Sequence, residues 1–357
     1  MNSMSSTLHP HSPVRIFAVS GIISVIALSL VYIYMGWEAA AVALMLVVIE
    51  LTFSFDNAII NARILMTMSP FWQRMFMTVG IVIAVFGMRI VFPILIVMMS
   101  SGLPPDQVVQ LAFDNPDKYA EVLHRAHPSI AAFGGMFLLM LALHFFFDIT
   151  REIQWIKRFE LPMQAIGRKW LHAVVCAVLL GIVTFLPLNH HPQEVLIAGI
   201  IGIVTYLLIH GISELFTMQR AREEKRLGRK MLQQAGVAAF ASFLYLEVLD
   251  ASFSFDGVIG AFAVTKDVIL IAVGLGIGAL WVRSLTLFIV HRKVLNTYRY
   301  LEHAAHYVIA ALALTLLLGI FFEIPEALVG LVGIGVIAVA VVHSKRDNDK
   351  DDVVLLK

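Results

Sequence analysis

Glu50-Leu-Thr-Phe-Ser-Phe-Asp-Asn57 and Asp250-Ala-Ser-Phe-Ser-Phe-Asp-Gly257 are two copies of one segment, offset by 200 residues. Phe53, Ser54, Phe55, Asp56 and Ile59 recur as Phe253, Ser254, Phe255, Asp256 and Ile259. In both copies a carboxylate stands six residues before the aspartate. Each copy lies inside a long apolar run, where acids are rare. A carboxylate at a bilayer centre costs about 2.5–3.5 kcal/mol on insertion scales. Glu50, Asp56, Glu247, Asp250 and Asp256 would therefore cost roughly 12–17 kcal/mol together if they faced lipid. They are expected to face the interior of a helix bundle.

The rest of the chain agrees with a membrane setting. Of 357 residues, 59% are hydrophobic and only 14% charged, with a mean hydropathy of +0.85, far more apolar than one water-soluble core needs. Lys and Arg number 26 against 25 Asp and Glu, so net charge indicates neither nucleic-acid binding nor an acidic tail. The single cysteine, Cys176, excludes an intrachain disulfide and any thiolate cluster. A helix needs about 20 apolar residues to cross a hydrocarbon core of about 30 Å. Ten such runs emerge, at 16–35, 38–62, 76–99, 130–149, 170–187, 195–217, 236–264, 268–290, 304–322 and 326–343. The first is read as a retained span, because it is long and no Ala-x-Ala-like cleavage site follows it.

Basic residues cluster in alternate loops. Arg74, then Arg151 to Lys169, then Arg220 to Lys230, then Arg292, Lys293 and Arg299 follow the second, fourth, sixth and eighth runs. The intervening loops are nearly free of them, so both termini are expected in the cytoplasm. Residues 103–128 on the opposite side read as an amphipathic cap lying on the bilayer surface.

The second run heads towards the cytoplasm and the seventh away from it, so the two motif copies have opposite topology. The expected fold is an all-α polytopic membrane protein of about ten transmembrane helices in two inverted five-helix repeats. Its parts are a cytoplasmic tail at 1–15, a first repeat at 16–190, a second at 191–343 and a second cytoplasmic tail at 344–357.

Helical periodicity places Glu50, Ser54 and Asn57 on one face, and Glu247, Asp250 and Ser254 on another. Asp56 and Asp256 lie about 120° from the acid six residues earlier. All would converge only if the helices are broken, and Gly257 and Gly260 make the second copy the expected site of a break. Facing pairs would form a box of hard oxygens: Glu50, Ser54, Asp56, Asn57, Glu247, Asp250, Ser254 and Asp256. Such a donor set suits Mn²⁺, Mg²⁺ or Ca²⁺ better than Cu⁺ or Zn²⁺. Five acids against Arg89 and Arg283 leave a charge of about −3, so one divalent ion leaves about −1 that protonation could remove. The competing reading pairs Arg89 with Asp56 and Arg283 with Asp256 as buried structural bridges. His144 and Asp148, one turn apart at the end of the fourth run, are read as a gate or as a helix-end hydrogen bond. Gly134, Gly135, Gly274, Gly276 and Gly278 read as close helix packing.

Glu50, Ser54, Asp56 and Asn57 form a Glu-x-x-x-Ser-x-Asp-Asn pattern. Glu247, Asp250 and Asp256 are followed by Ala263, Thr265 and Asp267 in an Ala-x-Thr-x-Asp ending. In these two stretches the chain resembles the TerC/Alx family of integral membrane proteins. It departs from that family at Asp256-Gly-Val-Ile-Gly260, where members carry Asp-Ser-Ile-Pro, as a divergent branch would. The resemblance implies a polytopic inner-membrane protein linked to manganese export and to tellurite or alkaline-stress resistance, with the acids as ion ligands.

The expected activity is export of a divalent cation, with Mn²⁺ favoured, by alternating access at a midplane carboxylate site. No nucleophile–base pair, nucleotide loop or metalloprotease motif points to an enzyme. No resident cofactor is expected. The expected partners are the bilayer and the transported ion, with no nucleic acid. The open alternatives are transport of another solute, such as an organic cation, and a membrane scaffold that binds stress-response proteins through loops 151–170 and 218–230. Self-association is open as well.

Overall fold

The computed structural model describes residues 13–355 apart from 169, 228–235, 323 and 325. In chain order its elements are α1 (Pro13–Phe53), α2 (Phe55–Leu65), α3 (Pro70–Val82), a π-helix π1 (Ile83–Val91), α4 (Phe92–Ser101), α5 (Pro105–Asp114), α6 (Pro116–Arg125) and α7 (His127–Phe146). There follow α8 (Lys157–Ile166), α9 (Leu171–Phe185), α10 (Pro192–Leu227), α11 (Gly236–Val264), α12 (Val268–His291), α13 (Val294–Thr297), α14 (Leu301–Gly319) and α15 (Glu326–Leu355). No strand occurs among the described residues.

Eight helical stretches among the described residues are long and apolar enough to cross a bilayer, and the bent pair α8 and α9, at 101°, forms a ninth candidate. The first stretch, Ile16–Thr52, has 37 residues. As one straight helix it would measure about 55 Å, nearly twice the hydrocarbon thickness. Contacts with α12 show that it is a hairpin. In its first arm, the Ser20 hydroxyl lies 2.6 Å from that of Ser284, Trp281 Nε1–H donates to Ser24 Oγ at 2.9 Å, and Leu28 and Val31 cluster with Leu270 and Val273, so the two helices run antiparallel. In its second arm, Leu46 packs on Gly274 and Glu50 on Gly278, a parallel register. The reversal is at Gly36, whose φ of 90° and ψ of 178° suit only glycine. The two arms are therefore separate candidate crossings, as the sequence boundary between residues 35 and 38 anticipates, which brings the candidates among the described residues to ten.

π1 and its neighbours α3 and α4 form one continuous span, Pro70–Ser101. The amphipathic cap consists of α5 and α6, but its apolar face does not lie free. Val108, Ala112, Tyr119 and Leu123 are buried in one cluster with Ile96, Ile259, Phe262 and Leu275, so the cap seals one end of the bundle. A Lys266–Asp117 ion pair ties it to the turn between α11 and α12. The expected tail at 344–357 is helical instead, because α15 runs on to Leu355. Tyr300 O–H donates to Asp347 and Asn348 Nδ2–H to Thr297 O, which hold that extension against the α13–α14 region.

The glycines expected to mediate close packing do so. A methyl on Gly135 would lie 2.9 Å from Leu317, and one on Gly274 would lie 2.6 Å from Leu46. The basic 147–166 loop is partly turned inward. Arg151 pairs at 3.1 Å with fully buried Glu160, which also accepts from Tyr307 O–H of α14 at 3.1 Å.

Gly36→Ala should destabilise the protein by about 1–3 kcal/mol, because alanine resists that backbone conformation. Gly21→Ala, in the first arm with open space at its Cβ position, should be neutral or slightly stabilising. Unfolding midpoints of the detergent-purified variants test the pair.

Candidate functional site

The first motif copy straddles the junction of α1 and α2. Ser54 sits there with φ −104° and ψ 15°, yet its N–H still donates to Glu50 O and its carbonyl still accepts from Ala58 N–H. The helix is kinked, not interrupted. The second copy lies within α11, which has no such break. The expected break at Gly257 and Gly260 is thus corrected: α11 runs through both glycines, and the departure from regular helix is at Ser54. Gly257 serves another end, since a methyl there would lie 3.3 Å from Glu50 Oε2. Its bare Cα lets the two motif helices meet.

They meet antiparallel. Asn57 Nδ2–H donates to Asp250 Oδ1 at 2.8 Å, so positions 50 and 57 of one copy face 257 and 250 of the other. Glu50 itself is pressed against α12, where a methyl on Gly278 would lie 2.5 Å from its Cβ.

Both arginines enter this crossing from the helices that follow the motifs. Arg89 Nη2–H donates to Glu50 Oε1 at 2.5 Å, and Nη1–H donates to Ala84 O at 2.6 Å. The Ser54 hydroxyl donates to the same Glu50 oxygen at 3.3 Å. Arg89 lies in π1, and π-helical turns concentrate at functional positions because they re-aim side chains within a helix. Arg283 Nη2–H donates to Asp250 Oδ2 at 3.3 Å and lies 3.5 Å from Glu247 Oε1. It also donates to the carbonyls of Phe76 and Gly80, with its guanidinium carbon 3.6 Å from the centroid of the Phe76 ring. Gly80 leaves room for this, since a methyl there would lie 2.7 Å from Glu247 Oε1.

The alternative pairing is corrected accordingly. Arg89 binds Glu50, not Asp56, because Asp56 projects from a different face of the helix. Arg283 binds Asp250 and Glu247, and the side chain of Asp256 lies outside the described residues. Asp56 is buried and forms no ion pair among the described residues.

Asp56 instead lines a cavity with about 50 Å³ of room for water centres, bounded by the α1–α2 junction, α11, α14 and α15. Its polar wall is Glu50, Thr52, Ser54 and Asp56, and its apolar wall includes Phe55, Phe253, Val308 and Ile337. That space suffices for a few waters or a partly hydrated ion. Phe55 and Phe253 of the repeated motif border this cavity, while the side chains of Phe53 and Phe255 lie outside the described residues.

Of the eight expected ligands, Asp256 has its side chain outside the described residues, and the other seven are spread over more than one cluster. Among the described residues, no group of three or more His, Cys, Asp or Glu could hold a metal ion. The acids fall into two sets, Glu50 with Asp56 at the cavity and Glu247 with Asp250 at Arg283. Ser254 is buried in α11. His144 and Asp148 are elsewhere. The His144 ring lies 4.3 Å from that of His210 and 5.0 Å from that of His172, centroid to centroid. Asp148 accepts from the Thr150 N–H and hydroxyl in the turn just beyond α7.

The sequence reading passed over Asn61. It is fully buried and its amide has no hydrogen-bond partner. Its signal was present: an amide in an apolar run, one helical turn beyond Asn57.

Arg89→Met should cost about 3–5 kcal/mol by stranding Glu50 in the bundle. The double variant Arg89→Met/Glu50→Gln should regain most of that loss. A double-mutant cycle on unfolding free energy measures the coupling.

The family described as "Protein of unknown function (DUF475)" matches residues 55–351, a span that takes in Asp56, Asn57, Asn61, Arg89, Glu247, Asp250 and Arg283. Neither a curated protein nor a solved structure matches the chain. With most of its length matched, the chain belongs to the DUF475 family.

Proposed function

We propose that this multi-pass membrane protein exports a divalent metal cation, with Mn²⁺ the favoured ion, by alternating access at the crossing of its two acidic motifs. The observation that carries the proposal is the cavity whose polar wall is Glu50, Thr52, Ser54 and Asp56. A buried acid without a guanidinium, beside a second acid and two hydroxyls, in a space large enough for an ion, is a hard-cation site in waiting. Glu50 gives Oε1 to Arg89 and Ser54, which leaves Oε2, on the Gly257 side, for a ligand. The resemblance of both motifs to TerC/Alx proteins supports Mn²⁺ among the hard ions.

Two inverted repeats are part of this proposal. Exchanging the copies turns the Glu50–Gly257 approach into the Asp250–Asn57 hydrogen bond, and the Arg89–Glu50 pair into the Arg283–Asp250 pair. Such an exchange is the symmetry expected of an inverted-repeat transporter. The basic loops support cytoplasmic termini in a bacterial inner membrane. With Asp256 counted, five acids against two arginines leave −3, so a divalent ion leaves one negative charge for a monovalent cation, a proton in the simplest case, to remove.

Mn²⁺ binding to the purified protein, read from loss of its free EPR signal, tests the site. Asp56→Asn and Glu50→Gln should each weaken binding at least tenfold and abolish Mn²⁺ movement in proteoliposomes. Wild-type affinity in both variants would overturn the proposal.

A further inference from the structure

Four buried oxygens near Arg283 have no hydrogen-bond partner, Oε1 and Oε2 of Glu247, Oδ1 of Asn57 and Oδ1 of Asn61, although Glu247 Oε1 lies 3.5 Å from the Arg283 guanidinium; one donor, Asn61 Nδ2, is likewise unpaired. These residues are exposed by only 6%, 2% and 0%. The antiparallel crossing brings them to one place. Asn57 bonds Asp250, and further along the same crossing Leu65 shares a core cluster with Leu246 and Phe243. Asn61 lies one turn after Asn57 and one before Leu65, while Glu247 lies between Leu246 and Asp250. In this register Asn61 comes opposite the turn of α11 that carries Glu247.

A buried acceptor without a donor costs about 1–3 kcal/mol, so four together call for an electron-poor ligand. The local charge sets its valence. Glu247 and Asp250 carry two negative charges and Arg283 one positive, leaving −1. Both Asp250 oxygens are engaged, one by Asn57 and one by Arg283, so Asp250 contributes charge and not a ligand atom. A proton would satisfy one of the four oxygens. A small alkali cation would draw on two amide carbonyls and a carboxylate at once, which is hard-ion chemistry.

We propose that Asn57, Asn61 and Glu247, with the charge of Asp250, form a sodium-binding site. It is separate from the cavity at Asp56 and rests on its own geometry. On the transport reading above, it supplies the single positive charge that a divalent ion leaves unbalanced, and sodium is then the coupling ion.

The test is equilibrium binding of ²²Na⁺ to the full-length protein in detergent, free of divalent ions. Saturable binding is expected, displaced by excess NaCl and not by KCl or choline chloride. Asn61→Leu, which matches the volume and removes the amide, should weaken it at least tenfold. Should that variant fail to fold, Glu247→Gln serves as the second, with the same expected loss. No saturable binding by the wild type, equal displacement by KCl, or wild-type affinity in the variants would overturn the inference. Sodium binding without any Mn²⁺ binding would sink the export reading alone, and Mn²⁺ binding without sodium would sink this one alone.

Discussion

Charge neutralisation inside an apolar bundle is the constraint from which the rest follows. Glu50, Glu247 and Asp250 are buried among helices that are hydrophobic nearly all round, and each meets a guanidinium. The α3–π1–α4 span serves both clusters. It carries Arg89 to Glu50, and it offers Arg283 the Phe76 ring and the carbonyls of Phe76 and Gly80. Arginine suits this task better than lysine, because its planar fork bonds a carboxylate and backbone carbonyls together. A π-helical turn in that span is the local concession: it lets Arg89 fold back onto Ala84 O while its other nitrogen reaches Glu50.

Much of this was legible from residue order. Apolar run lengths located the crossings, and the gap at Gly36 and Trp37 separated two arms that continuous helical geometry would have joined. The duplicated motif located the buried acids, which were too costly to leave facing lipid. The details that escaped were those set by tertiary contact. Phe53, Ser54 and Phe55 carry no helix-breaking signal, whereas Gly257 and Gly260 do, yet the kink is at Ser54. The glycine is instead consumed by the approach of Glu50. Nor does sequence spacing reveal which acid an arginine will choose. Arg89 and Arg283 were set beside the aspartates by proximity in the motif, but the helix face decides, and the acids on the facing side are Glu50 and Asp250. The π turn leaves no trace in composition either. The cap at 103–128 was legible as amphipathic helix, but not as a cover packed on the bundle.

The cavity is lopsided, and that asymmetry bears on mechanism. It opens beside Glu50 and Asp56, against α14 and α15. Around Glu247 and Asp250 the packing is tighter, with Gly80 pressed against Glu247 and Arg283. If the proposed repeats exchange roles, a state in which one copy of the motif is open and the other closed is one half of a transport cycle. The reverse state would open the Glu247 side and close the Asp56 side. The elements that would have to move are identifiable. Gly36 and the Ser54 kink are departures from regular helix on the first side. The second side has no such joint in α11, so motion there would pass through π1, whose irregular turn already touches α11 and α12. On that proposal, two dissimilar joints would let each motif copy close without the other following.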